Sequence, residues 1–227
     1  MKLAENVVML DVAVPRGERE MLMHPTLAWD EAHLVLFDTG IPGSGKYFAE
    51  AISAVGKRAE DLTDIILTHQ DVDHIGGARE LLKRAPQAKI YAHEVDTPFI
   101  EGTETPTKLA QVLAAGTTGP RLDFLQKGFE ASYLPVDVQL KDGELLDFAG
   151  GIETIFTPGH TPGHAAFYLK TAKIMVCGDA ANVADGVLRG SNPAMTWNME
   201  KAEESLEKIK SYDLAGAICY HSGYLKF

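Results

Sequence analysis

Residues 67–77, LTHQDVDHIGG, crowd two histidines and two aspartates into six positions between an apolar run and a glycine pair. The preceding DIILT (64–68) reads as a fully buried strand that delivers the chain into this cluster. His69, Asp71 and Asp73 are spaced i, i+2, i+4. An extended segment would point all three to one side. His74 follows where the chain turns toward a helix near Gly76, whose N-terminal partial positive charge would favour anionic ligands. This is the spacing of a metal-binding loop. The competing reading is a solvated acidic loop with two surface histidines.

Three further features weigh against that reading. TPGHTPGH (157–164) repeats a tetrapeptide whose prolines and glycines exclude a regular helix, so His160 and His164 are not a helical i, i+4 zinc pair. They sit on a rigid loop after the strand IETIF. VCGDA ends an apolar strand with Asp179 at its tip, and ICYHSG ends another at His221. Four separate strand ends thus offer ligand-type side chains.

The series THxxxDH, GH, GD and a late histidine, in that order from LVLFDTG to CYHSG, resembles the metallo-β-lactamase superfamily. The resemblance implies an α+β chain folded as a four-layer αβ/βα sandwich, with a dinuclear metal site at one edge. It further implies that His69 and His160 hold the first metal with residue 71 as its third ligand. Asp73, His74 and His221 would hold the second, and Asp179 would bridge both. Asp38 of FDTG matches the aspartate that orients ligands without binding metal. His164 is left between a supporting role, a substrate-side role and a plain structural one.

Asp71 departs from the usual HxHxDH pattern, since this chain reads HxDxDH. A carboxylate ligates zinc well, and manganese or iron better. The pattern also resembles the flavodiiron branch, which has a glutamate here, but the flavin domain of those proteins has no room in 227 residues. Two divalent ions bring four positive charges, while Asp71, Asp73, Asp179 and a bridging hydroxide bring four negative ones. The expectation is a neutral, weakly Lewis-acidic cluster in which iron or manganese competes with zinc.

The bulk numbers fit one such unit. A hydrophobic fraction of 45% and a charged fraction of 23% suit a globular chain with a sizeable core. No apolar run approaches a membrane span. The formal charge of −11 argues against nucleic-acid binding. The N-terminus, with Glu5 and Asp11, reads as a first strand and not as a signal peptide. Two cysteines, Cys177 and Cys219, without a CxxC, fit a cytoplasmic setting and packing roles. His24, His33 and His93 lack ligand-like neighbours and are read as ordinary.

The expected organisation is a single domain over 1–227. NVVMLDVAV, MLMHPTLAW and AHLVLFDTG read as strands, and KYFAEAISAVG as a helix. GGARELLKRAP reads as a second helix and NMEKAEESLEKIKSY as a late one. Residues 95–135 mix Pro/Gly breaks with two short helical patterns and form an insertion over one face. Its Leu109, Leu113, Phe124, Leu125, Phe129 and Tyr133 would wall a partly apolar pocket.

The functional expectation is a hydrolase in which a metal-bound hydroxide attacks a small ester, lactone, thioester or phosphoester, with Asp73 handling a proton. The alternatives are an iron-dependent oxidoreductase or dioxygenase on the same scaffold, and a metal-binding module with a dead site. A small-molecule substrate is expected, and the oligomeric state is not readable.

Overall fold

The computed structural model describes residues 1–17 and 19–227. Strand alternation sorts the core into layers. In Asp64–Leu67, Ile65 and Leu67 pack with Phe48, Ile52 and Leu81 of the helices Gly45–Ala54 and Ala78–Arg84. Ile66, between them, points the other way and joins Phe37, Phe167 and Val176. In the second sheet Ile174 and Val176 meet that same central cluster, while Met175 packs with Ile209 of the helix Met199–Lys210. Helix, sheet, sheet, helix is the expected four-layer sandwich.

The first sheet has seven strands in the order Lys2–Ala4, Val7–Met9, Thr26–Trp29, Leu34–Phe37, Asp64–Leu67, Lys89–His93, Val138–Leu140. Its later pairs are parallel, with Phe37 opposite Ile66 and Ile66 opposite Tyr91. The second has six, in the order Leu145–Leu146, Ile152–Phe156, Ala165–Leu169, Ile174–Val176, Gly216–Cys219, Gly223–Lys226. Ile174–Val176 and Gly216–Cys219 run parallel, so the chain leaves both at the same sheet edge.

Several local expectations change. NVVMLDVAV is not one strand: Val7–Met9 joins the first sheet, while Val12–Arg16 forms a separate hairpin with Arg19–Met23. MLMHPTLAW divides likewise, its second half being Thr26–Trp29. A further hairpin pairs Ala181–Ala184 with Val187–Gly190. Its Asp185 and Gly186 take φ of 54° and 72°, the left-handed pair that a two-residue Asp-Gly turn demands. Residues 95–135 carry three helices, Thr97–Ile100, Thr107–Ala114 and Pro120–Ser132, and no strand. Pro106 and Pro120 sit at or beside the starts of the last two, where a missing N–H leaves no helical bond unmade. Among the described residues no helix is long and apolar enough to cross a membrane.

Candidate metal centre

Five chain segments deliver side chains to one edge of the sandwich: Asp38 after Leu34–Phe37, His69 after Asp64–Leu67, His160 after Ile152–Phe156, Asp179 after Ile174–Val176 and His221 after Gly216–Cys219. The loop at His69 is not extended throughout. Asp71 (φ −68°, ψ 144°) is its last extended residue, and Val72–Ile75 is a helical turn. The period of two therefore ends at Asp71, and Asp73 and His74 are aimed by the helix. Asp71 occupies the N-cap position, where an aspartate ordinarily accepts from the helix amides, yet its carboxylate makes no capping bond. It is turned into the cluster.

Ligand-type atoms fall into three groups, each with all members within 4.8 Å of one another: His69, Asp71 and His160; His69, His74 and Asp179; Asp73, His74 and His221. Asp71 Oδ2 lies 3.1 Å from His69 Nε2 and 2.9 Å from His160 Nε2. Asp179 faces both ends, Oδ2 at 3.3 Å from His160 Nε2 and Oδ1 at 3.4 Å from His74 Nε2. His221 Nε2 is 3.3 Å from Asp73 Oδ2 and 3.3 Å from His74 Nε2. All seven residues expected to ligate are brought together.

Three of the four histidines in these groups, His69, His74 and His160, are oriented through the outer nitrogen. His74 Nδ1 donates to Asp38 Oδ2 at 2.8 Å. The Thr68 hydroxyl donates to the same carboxylate at 2.8 Å and takes His69 Nδ1 at 2.9 Å, while the Thr68 amide donates to Asp38 Oδ1. His160 Nδ1 meets Ser191 Oγ at 2.9 Å. The Nε2 atoms are thereby left facing inward. Asp38 holds this position at φ 61°, a left-handed conformation that aspartate tolerates better than most residues.

His164 is buried beside His69, their ring centroids 4.9 Å apart, but belongs to none of the ligand groups. Its Nε2 accepts the Asp179 amide at 3.1 Å, and its Nδ1 meets Thr157 Oγ1 at 2.9 Å. Of its three open roles, the supporting one matches this arrangement. His24 pairs with Asp11, His33 with Asp64, and His93 stacks on Phe156, so all three lie outside the cluster. Cys177 and Cys219 are buried with Met175 and Ile209; the Cys177 thiol beside it, then burial, push the Cys219 thiol well above its usual range.

Two residues with no sequence signal complete the site. Lys108, on Thr107–Ala114, sets its ammonium against Asp71 Oδ2 and 3.2 Å from His160 Nε2. An exposed-looking lysine on an amphipathic helix gives no warning of this. Asp96 is fully enclosed and accepts from the Gln70 amide and side chain, the Thr161 hydroxyl and the Gly163 amide. It ties the loop at His69 to the loop at His160.

Burial pushes the Asp71 carboxyl up, but the Lys108 ammonium and His69 outweigh it and hold it well below the usual carboxylate range. Asp179 behaves alike, burial being outweighed by His74, His160 and His221. Burial and the neighbouring His74 bring His69 down to about 4, which leaves a neutral imidazole with a free lone pair. For His74 burial is outweighed by the carboxylates of Asp38 and Asp179, which raise it well above its usual value.

A metal fits these donors. Asp71 Oδ1 is buried with no hydrogen-bond partner, and such an orphan is costly unless something binds it. Imidazole nitrogens and carboxylate oxygens are the donors that zinc, iron and manganese take. The expected charge balance changes, however, because it omitted Lys108, whose positive charge offsets that of Asp71.

Beside the cluster lies a cavity of about 560 Å³, lined by Asp71, Asp73 and Lys108 and by apolar Phe124, Leu125 and Phe129. Of the expected wall residues, Leu109 is buried and Leu113 exposed, and neither they nor Tyr133 line it.

The model of the metallo-beta-lactamase superfamily matches residues 24–221. YobT of Bacillus subtilis strain 168 is 30% identical over 81% of this chain and 76% of its own length. A hydroxyacylglutathione hydrolase of Synechococcus sp. strain JA-2-3B'a(2-13) is 32% identical over 52% of this chain, and the match spans only 34% of that enzyme. Among solved structures, a metallo-beta-lactamase family protein from Thermus thermophilus shares the fold, with a TM-score of 0.77 at 24% identity, covering 99% of this chain and 76% of that one. With the four-layer sandwich and the ordered ligand series, these matches establish that the chain belongs to the metallo-β-lactamase superfamily.

Proposed function

We propose that the chain is a dinuclear metal-dependent hydrolase of small acyl substrates, with thioesters and lactones ahead of simple esters and phosphoesters. The observation that carries this reading is the convergence of seven ligand-type residues on three overlapping groups beside a largely apolar cavity that Asp71 and Asp73 help to line. His69, Asp71 and His160 would hold one ion, Asp73, His74 and His221 the other, with one Asp179 oxygen turned to each. Divalent ions held there would supply Lewis acidity and acidify water. Zinc is the ion the family suggests; the carboxylate at Asp71 also suits iron or manganese.

The residues themselves supply orientation, exclusion of bulk water and proton handling. Asp38, Thr68 and Ser191 keep the ring nitrogens aimed. Phe124, Leu125 and Phe129 offer apolar surface to an acyl group, and Arg16, Lys108 and Lys127 add positive charge to the same cavity wall. Asp73 is the ligand-type carboxylate most open to the cavity, its side chain 31% exposed, which suits it to carry a proton. Thioesters come first because several of the relatives are hydroxyacylglutathione hydrolases, named for acylated glutathione.

The test is metal quantification followed by a panel of thioester, lactone, ester, phosphodiester and β-lactam substrates. Hydrolysis of an acyl substrate should vanish with chelation and in Asp73→Ala. A fully active Asp73→Ala protein, or a metal-loaded protein inert on the whole panel, would sink the reading. Oxygen consumption by an iron-loaded form would favour the dioxygenase alternative, to which the Asp71 carboxylate also lends itself.

A further inference from the structure

The helix Thr107–Ala114 engages the metal loop through two consecutive residues. The Thr107 amide donates to Gln70 Oε1 at 2.7 Å, and Gln70 stands between His69 and Asp71. Lys108 then places its ammonium on Asp71 Oδ2 and 3.2 Å from His160 Nε2. Those two atoms belong to the ligand group His69, Asp71 and His160. The opposite group, Asp73, His74 and His221, has no ammonium or guanidinium within salt-bridge reach of its carboxylate among the described residues. The two ends of one centre therefore differ in a way that their ligand types alone do not reveal.

An ammonium has three donors and no lone pair, so it competes with a metal ion and cannot join its ligands. Zinc holds carboxylate oxygen and imidazole nitrogen at roughly 2.0–2.2 Å. An ion on Asp71 Oδ2 and His160 Nε2 would need the lone pairs at which Lys108 is aimed. The burial of the cluster sharpens the contest, since like charges repel more strongly where water is excluded.

We propose that Lys108 is a resident cation that makes the two halves of the centre unequal. One divalent ion binds tightly among Asp73, His74, His221 and Asp179, and a second enters the His69–Asp71–His160 half only by displacing the Lys108 ammonium. The inference rests on the metal-binding reading of this site but not on any substrate. It also gives position 71 a reason. Asp71 with Lys108 is a neutral pair, matching in net charge the neutral histidine of the usual motif. A lysine displaced by an incoming ion stays at the cavity wall, because Gln70 still anchors its helix.

Metal-free protein, Lys108→Met and Lys108→Arg should each be titrated with zinc against a chromophoric chelator, with bound metal counted separately. The wild type should take one tight equivalent and a second at least about tenfold weaker, the scale on which groups touching metal ligands alter affinity. Lys108→Met should draw the second affinity toward the first, and Lys108→Arg should keep the inequality. Melting supplies an independent reading: under chelation Lys108→Met should melt below wild type, and saturating zinc should close that gap. Two equal tight equivalents in the wild type overturn the proposal, as does a weak second site in a folded Lys108→Met protein. A chain that binds no metal overturns it together with the metal reading. Unequal sites in a protein that hydrolyses nothing would leave it standing while the hydrolase reading falls.

Discussion

Asp38 Oδ2 lies 2.8 Å from His74 Nδ1, and Asp179 Oδ1 lies 3.4 Å from the Nε2 of the same ring. A histidine between two carboxylates keeps its proton, and burial is too weak an opposing influence to remove it. The imidazole can serve a metal only after that proton leaves. Loading the metal-free protein at pH 7 should therefore release about one proton from His74, because ligands must be deprotonated to bind. Calorimetry in buffers of different ionisation enthalpy reads the total release, and the difference between wild type and Asp38→Asn isolates the share of His74. Asp38→Asn keeps the hydrogen-bonding shape, tolerates φ 61° and removes one carboxylate charge, so its proton release should fall and its metal affinity should drop about 10–100-fold. Unchanged proton release in Asp38→Asn would refute this account of His74.

His164 makes a second case. It accepts the Asp179 amide at 3.1 Å, so it fixes the backbone that carries the carboxylate facing both ends of the centre. Burial, with His69 and His160 nearby, holds the ring well below its usual range, neutral and able to accept. His164→Ala should keep the metal stoichiometry and weaken the affinity by about tenfold, as groups that position ligands do. Loss of a whole metal equivalent would make His164 a ligand and contradict the assignment.

Asp96 predicts a pH signature. Burial lifts its carboxyl from 3.8 to about 6, against four donors that favour the ionised form. A group with a raised folded value stabilises the fold fully below its unfolded value, and that contribution is lost as pH rises through about 6. Asp96→Asn cannot titrate. Its destabilisation relative to wild type, measured by urea unfolding under chelation, should therefore be largest near pH 4 and shrink by on the order of 2–3 kcal/mol by pH 7. A difference that is flat with pH, or grows toward pH 7, refutes the shift.

These residues mark what the sequence could and could not disclose. His69, His160, Asp179 and His221 were legible because each lies within four residues of the end of an apolar strand, with a glycine, proline or polar break beside it, a purely local pattern. The central strands were legible for the same reason. Lys108 and Asp96 were not, because what distinguishes them is a partner 37 or 26 residues away, Asp71 or Gln70 respectively. Asp96 sits at the start of Thr97–Ile100 and looks like an ordinary cap, yet it makes no capping bond and spends its oxygens on the two loops. The period-two reading failed at Asp73 because a single helical turn leaves too little sequence to carry its own periodicity. Strands as short as Val138–Leu140 and Leu145–Leu146 evade pattern reading likewise. The Asp185–Gly186 turn was legible, and would have exposed the hairpin around it.

Gly178, just before Asp179, tests how closely the centre is built. Its φ is 51°, and a Cβ there would stand 2.7 Å from His164 Nε2 and 2.8 Å from Thr68 Oγ1. Those atoms orient Asp179 and His69, so neither can retreat without moving a ligand. Gly116, on the loop after Thr107–Ala114, has a similar φ of 69° but nothing within 4 Å of a Cβ. Alanine at either position meets a left-handed backbone that costs an ordinary residue roughly 1–2 kcal/mol. Gly116→Ala should lose about that much stability and keep wild-type metal affinity. Gly178→Ala should lose more, because crowding adds to the backbone strain, and should bind metal at least about tenfold more weakly through the displaced ligands. Urea midpoints and chelator competition on the two variants separate the contributions. Equal losses in both, with metal binding intact, would mean that the layer beneath Asp179 yields easily and that Thr68 and His164 do not hold the ligands in place.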